Sequence, residues 1–320
     1  MMVKLDRDET AAELSALDDI LGTMPPHDVL GRIGIQARRD EMQLRFGQMK
    51  DVREKRAKVA LYFGGEPVLG NLGVQAGFGT KAVGAFQDLL SRVWGTAESG
   101  HVQLMGPIRD SAASQMHITS LVHGSFGFLL EELDGEGEPL FETPLSKAAD
   151  QVAEYIASFA GENEARFSEV IETLNPRVFL GIKDFIGCIY RSKATLRLVE
   201  GERDERLDRQ AVERAWQRAE ASNIDEEQVS VEGKLLGVIP VRRRFEFEPD
   251  GGAMIIEGKA GEAFTGSYLQ RMSTEQFAGR RWKALFNRRI VTKTGRQPSE
   301  MFTLVELEEL NDDRPYHERP

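Results

Sequence analysis

Gln228-Val229-Ser230-Val231-Glu232-Gly233-Lys234-Leu235-Leu236-Gly237-Val238-Ile239 is the stretch on which the fold turns. Val229, Val231, Leu235 and Ile239 alternate with Ser230, Glu232 and Lys234, the period of a half-buried strand. Gly233 and Gly237 interrupt it, as glycines do where a strand bends sharply at a barrel corner. Phe245 and Phe247 alternate with Arg244, Glu246 and Glu248 on a second strand. The turn Pro249-Asp250-Gly251-Gly252 closes a hairpin onto Ala253–Lys259. A helical or irregular segment is expected over 262–278, then strands near 281–293 and 301–309. Three strands, an insertion and two strands is the order of an OB-like barrel, with an SH3-like barrel as the alternative.

Toward the N-terminus the period changes. Ala11, Leu14, Leu17 and Leu21 recur at helical spacing over 8–22, and Gly22 offers a stop. Pro25-Pro26 breaks the chain before a second helix, expected over 27–55, whose apolar residues (Val29, Ile33, Met42, Phe46, Met49) are sparse. The pair predicts a helical hairpin that is partly solvated or docked on a partner. Lys58–Phe63 predicts a strand, Gly64-Gly65 a turn, and Pro67–Leu69 a return strand. Phe78, Ala82, Phe86, Leu89, Leu90 and Val93 mark a helix over 77–95, and strands follow at 116–122 and 126–133. Three helices are expected over 144–190, the last starting at Pro176, then a strand at 194–200 and a charged helix at 207–221.

The fold class expected is therefore α+β: a helical hairpin (1–56), an α+β domain (57–223), a β-barrel-like domain (224–310) and a disordered tail (311–320). The chain has 320 residues, 41% hydrophobic and 29% charged, enough for a sizeable core without disulfides or a structural metal. The one cysteine, Cys188, sits among Phe185, Ile186 and Ile189 and reads as a small core residue. The charged N-terminal stretch (Lys4, Asp6, Arg7, Asp8, Glu9) does not resemble a secretory signal, and no apolar run approaches a membrane span. The expected location is the cytoplasm, with no membrane partner. A net charge of −11 argues against a whole-molecule nucleic-acid or anionic-membrane binder.

Several constellations invite a chemical reading. Gly70–Lys81 is glycine-rich and ends in Thr80-Lys81, but the glycine spacing of a phosphate loop is absent, and a turn between hairpin and helix fits better. His117 and His123 fall on one face of a predicted strand, with Ser125 and Asp110 near in sequence. They define an alternative hydrolase or nucleotide-handling centre. His123-Gly124-Ser125-Phe126-Gly127 lacks the first glycine of the nucleophile elbow and lies between strands, so a tight turn accounts for it. No catalytic residue, metal site or cofactor is assigned.

The strongest local signal is electrostatic. From Gln276 to Ser299 there is no acidic residue, while Arg280, Arg281, Lys283, Arg288, Arg289, Lys293 and Arg296 fall in the same window. Alternation places Trp282, Ala284, Phe286 and Ile290 on a core face and Arg281, Lys283, Arg289 and Lys293 on an exposed one. With Arg242 and Arg243 these are the candidate binding residues, suited to phosphate backbones or to an acidic partner surface. The opposing expectation is that they pair with nearby acids such as Glu246 and Glu248.

Val59–Val93 with Gly64-Gly65-Glu66-Pro67-Val68, the Phe86-Gln87-Asp88-Leu89-Leu90 helix and Gly124-Ser125-Phe126 resemble an uncharacterised family of bacterial two-part α+β proteins. Gly233–Val238 with Arg244-Phe245-Glu246-Phe247 resembles their second part. The resemblance implies the architecture, carries no reaction, and links some such proteins to bacterial defence operons. The function expected is a non-enzymatic binding or regulatory adaptor. It would act through a protein partner or self-association, with nucleic acid as a second possible partner. A structural subunit of a larger complex is a further alternative.

Overall fold

The computed structural model describes residues 2–25, 27–49, 54–99, 111–122, 126–133, 137, 139–251, 254–261, 263–264, 266, 269–270, 272, 280–295 and 297–310. The chain is α+β and divides into two compact units, Met1–Ala219 and Glu220–Pro320.

The first unit opens with helices α1 (Val3–Thr23) and α2 (Val29–Met49), which pack on each other as a hairpin. Both are shifted from the expected ranges: α1 begins five residues earlier than 8, and α2 ends before 55. Strand β1 (Lys58–Gly65), the two-residue strands β2 (Val68–Leu69) and β3 (Gly73–Val74), and helix α3 (Ala76–Ser99) come next. They are followed by β4 (His117–Val122), β5 (Phe126–Glu131), α4 (Pro144–Ala160), α5 (Glu164–Thr173) and α6 (Pro176–Arg191). β6 (Ala194–Glu200), β7 (Arg203–Leu207) and α7 (Arg209–Glu220) complete the unit. The helix starts obey local chemistry. Thr143 accepts from the Ser146 N–H at 3.0 Å ahead of Pro144, and Asn175 accepts from the Arg177 N–H at 2.9 Å ahead of Pro176.

An antiparallel sheet in the order β4-β5-β1-β6-β7 forms the centre. Val59, Leu61, Phe63 and Leu198 face α4 and α6, where Phe63 meets Phe78 edge-on at 5.2 Å and Phe86 meets Phe185 at 5.7 Å. The opposite face carries Ala60, Tyr62, Leu129 and Val199, and Met2 and Leu5 from the root of α1 cover it. That root is also held by polar contacts: Glu54 accepts the Val3 N–H at 3.1 Å, and Arg7 pairs with Glu202. β7, which the charged run Arg203-Asp204-Glu205-Arg206 conceals in the sequence, is stabilised by its ion pairs. Arg197 clamps Asp204 at 2.7 Å across the hairpin, and Arg203 reaches Asp150 at 2.6 Å and Glu154 at 3.0 Å.

The second unit contains β8 (Ser222–Ile239), β9 (Arg244–Pro249), β10 (Ile256–Ala260), β11 (Arg281–Lys293) and β12 (Ser299–Glu309). Hydrogen-bonded pairing runs β10-β12-β11-β8-β9 and returns to β10. Among the described residues of this unit only the β10–β12 pair is parallel. β8 serves two neighbours in turn, β11 over Ser222–Lys234 and β9 over Gly233–Ile239, and its register with β9 shifts between Leu235 and Gly237. The bend expected at Gly237 is this bulge. The interior is aromatic: Phe245, Phe247, Trp282 and Phe286 pack with Leu235, Leu269, Met272 and Leu304. Most of the 262–278 segment lies outside the described residues, as do the 311–320 tail and Arg296.

The ring closes where two strands approach with no room for a side chain. A Cβ at Gly258 would strike the Phe302 carbonyl and come within 2.9 Å of the Phe245 ring. Gly258→Ala is expected to cost about 1–3 kcal/mol, the usual cost of overpacking. A drop in the urea midpoint of the second unit, followed through Trp282, measures it.

Candidate functional site

The basic strand is built as its alternation predicts up to Phe286: Trp282, Ala284 and Phe286 are buried. Its arginines are then placed against acids, those of the neighbouring strands β8 and β12 and, for Arg281, Asp250 in the turn after β9. Arg280 pairs with Glu309 at 2.8 Å, and Arg281 pairs with Asp250. Arg288 bridges Glu227 at 2.8 Å and Glu300. Arg289 pairs with Glu226 at 2.9 Å. Its side chain is only 14% exposed, so it does not lie on the open face that alternation assigns it. Burial pulls the Arg289 guanidinium down from the usual arginine range, and Glu226 opposes that. The reason is that the far ends of β8 and β11 bury the other face, through Ile224 and Val291.

The remaining candidates divide. Lys283 is exposed and stands in register between Glu232 and Glu308. Lys293 stands at the strand end opposite Ser222. Arg243 turns inward: its guanidinium donates to the carbonyls of Gly261 at 2.6 Å and Phe264 at 2.9 Å, from a left-handed backbone with φ 50°. Arg242 projects into solvent from the turn Pro240–Arg242. The arginines of β11 are thus committed to carboxylates of the same unit. An electrostatic footprint for nucleic acid needs cations left available to phosphates.

The alternative centre is not assembled by the described residues. His117 is exposed and in register with Glu131, whereas His123, Ser125 and Asp110 lie outside them. Among the described residues no group of three His, Cys, Asp or Glu side chains is placed to hold a metal ion. No helix among them is long and apolar enough to cross a membrane. In the Gly70–Lys81 stretch the Thr80 hydroxyl donates to the Ala76 carbonyl inside α3, which leaves it a helical role. Cys188 is half-buried, and burial pushes its thiol up, away from the reactive thiolate.

Two features escape the sequence reading. The first is the outward face of α2. Met42 is buried against α1, with Ile35, Phe46 and Met49 half-buried on the same side. On the opposite side Leu30 is 85%, Ile33 60% and Leu44 71% exposed, with Ala37 between them. α2 is apolar on two sides, and hairpin packing uses one. The hairpin is locked by Arg38 to Glu13 at 2.9 Å, Arg39 to Asp18 at 2.7 Å, and Arg32 to the Leu21 and Met24 carbonyls. The second is a concavity of about 260 Å3 lined by Tyr190, Arg191, Lys193, Ala194, Arg209, Val212 and Glu213. No sequence spacing joins these residues; the β6–β7 hairpin does so by returning the start of α7 to the end of α6.

Comparison with known proteins adds no relative to this picture: no protein-family model, curated protein or solved structure matches the chain.

Proposed function

We propose that this protein is a non-enzymatic adaptor that assembles through its helical hairpin, and that the partner on the outward face of α2 is the same face of a second copy. The observation that carries this is the exposed stripe Leu30, Ile33, Ala37 and Leu44. Apolar side chains at these spacings form one helical seam, and such a seam left in water marks an interaction surface. The hairpin beyond its root buries few side chains of its own, among them Leu17 and Met42. Helices of this length draw most of their stability from tertiary packing, so a second layer stabilises the arm.

The stripe is self-complementary. Leu30 and Leu44 stand seven residues either side of Ala37. A two-fold axis through Ala37, with the helices antiparallel, sets Leu30 of each copy against Leu44 of the other and puts the small alanine at the crossing. A parallel pairing would oppose Asp40 to its own copy, and the antiparallel one does not.

The second unit is read as an OB-like barrel. Support comes from its order: numbered from β8, the strands run 1-2-3-5-4 and back to 1, with the third and fifth parallel. An SH3-like barrel does not account for that parallel closure. The intramolecular ion pairs along β11 weigh against nucleic-acid contact there and favour protein contact. Kinship with bacterial two-part α+β proteins, some of them defence-linked, belongs to the same proposal.

Light scattering across a concentration series tests it. The wild-type chain is expected to run as a dimer that dissociates on dilution. Leu30→Glu with Leu44→Glu should give a monomer with unchanged circular dichroism, because neither side chain packs within the chain. A wild-type monomer at every concentration, or a dimer indifferent to both substitutions, refutes the proposal.

A further inference from the structure

The concavity between the end of α6 and the start of α7 is built differently from the rest of the surface. Elsewhere the arginines near the sheet are spent on carboxylates or carbonyls: Arg197 on Asp204, Arg203 on Asp150 and Glu154, Arg214 on the Ala160 carbonyl, and Arg218 on Glu164. Arg191 and Arg209 differ. Neither guanidinium has a hydrogen-bond or ion-pair partner among the described residues, and both line the same hollow. Arg191 lies over the Trp216 ring, 5.6 Å from its centroid, and Trp216 stacks on Tyr190 at 5.5 Å. The aromatic pair therefore props the guanidinium at the rim without neutralising it.

A third cation, Lys193, lines the hollow but is already paired. Lys193 sits at the turn into β6 with φ 50°, a left-handed conformation that a non-glycine residue seldom adopts. Its ammonium reaches Glu66 at 2.8 Å, and its N–H donates to the Tyr190 carbonyl at 2.9 Å. Among the described residues Glu213 is the one acid of the lining. Ala194 and Val212 form an apolar floor. In a chain of net charge −11, two unpaired guanidinium groups against one lining acid, with Lys193 balanced by Glu66, are a local reversal of sign.

We propose that this hollow binds a small phosphate monoester, with Arg191 and Arg209 gripping the phosphoryl oxygens and the organic part resting on Tyr190, Ala194 and Val212. Guanidinium groups suit this ligand because their paired N–H donors match the oxygen spacing of a phosphoryl group. The volume lies below the usual range of about 300–1,000 Å3 for drug-sized ligands, which restricts the site to a small molecule. The site lies wholly within the first unit and does not depend on how the hairpin assembles.

Isothermal titration of the full chain with phenyl phosphate, at ionic strength held constant with sodium chloride, tests the inference. Saturable one-to-one binding is expected. Arg191→Gln and Arg209→Gln, each alone, should weaken it about tenfold, the loss of one charge-assisted contact. Both side chains are exposed, so each variant is expected to keep the wild-type circular dichroism. Arg242→Gln with Arg244→Gln removes two exposed arginines of the second unit and should leave binding unchanged. The inference is overturned if the wild type shows no saturable binding, or if the Arg242/Arg244 pair weakens binding as much as either lining variant.

Discussion

Phe286→Ala is expected to destabilise the second unit by about 3–5 kcal/mol, the usual range for removing a fully buried phenylalanine. Phe286 sits where three aromatic contacts of the ring meet. It stacks on Phe245 at 5.3 Å and meets Phe247 edge-on at 5.4 Å and Phe302 at 6.0 Å. Its neighbours on β11, Trp282 and Ala284, are buried on the same face. The cavity left by truncation is walled by strands tied into a closed ring, which have little freedom to collapse. A loss of this size is a large fraction of the stability of a small domain. Fluorine NMR of 5-fluorotryptophan-labelled protein separates Trp282 from Trp94 and Trp216. The Trp282 signal should convert to its unfolded position at clearly lower urea in the variant. A shift below about 1 kcal/mol would mean that the ring interior is not organised around this side chain.

Glu200→Gln is expected to stabilise the first unit at alkaline pH and to change little in acid. Glu200 closes β6 on the helix side of the sheet, only 7% exposed. Burial pushes its carboxyl up to about 7, Asp150 pushes it further, and Arg203 opposes them. Glu54 and Glu142 also face it and add to the rise. The unfolded carboxyl titrates near 4.5. Between those two values the folded chain holds a proton that the unfolded chain has released. Stability from this group is therefore full below about 4.5 and is lost as pH rises through about 7. The loss is on the order of 3 kcal/mol. Glutamine cannot ionise, so urea midpoints of wild type and variant should converge at pH 4 and separate in favour of the variant at pH 8. Parallel profiles across that window would remove Glu200 as the source.

The particular residues show what the sequence made legible. The alternation of Val229, Val231 and Leu235, and of Phe245 and Phe247, placed β8 and β9 because a half-buried strand must repeat every two residues. Past the bulge at Gly237 the period shifts, so Val238 packs inward and Ile239, expected on the inner face, is exposed. Pro144 and Pro176 behind Thr143 and Asn175 placed two helix starts because the capping chemistry is local. β7 was not legible, since Arg203-Asp204-Glu205-Arg206 has no apolar period and is held by Arg197 across the hairpin and by Asp150 and Glu154, distant in sequence. The basic run of β11 was legible as a run, but its neutralisation was not. Glu226, Glu227, Glu300 and Glu309 are brought opposite it by strand register alone. The same holds for the hollow at Arg191 and Arg209, whose members are joined only by the path of the chain between α6 and α7. The second apolar side of α2 was hidden for a different reason. Its two stripes, one inward through Met42 and one outward through Leu30 and Leu44, oppose each other and cancel the one-sided pattern of an amphipathic helix.

The most direct measurement of the assembly claim is crosslinking at the proposed axis. Ala37→Cys in a Cys188→Ser background, treated with a short bis-maleimide at a concentration where light scattering reports dimer, should yield a covalent dimer linked between the two copies of position 37. Adding Leu30→Glu and Leu44→Glu should abolish it. A dimer that resists linkage at position 37, or a chain that stays monomeric at every concentration, would contradict pairing through the outward face of α2.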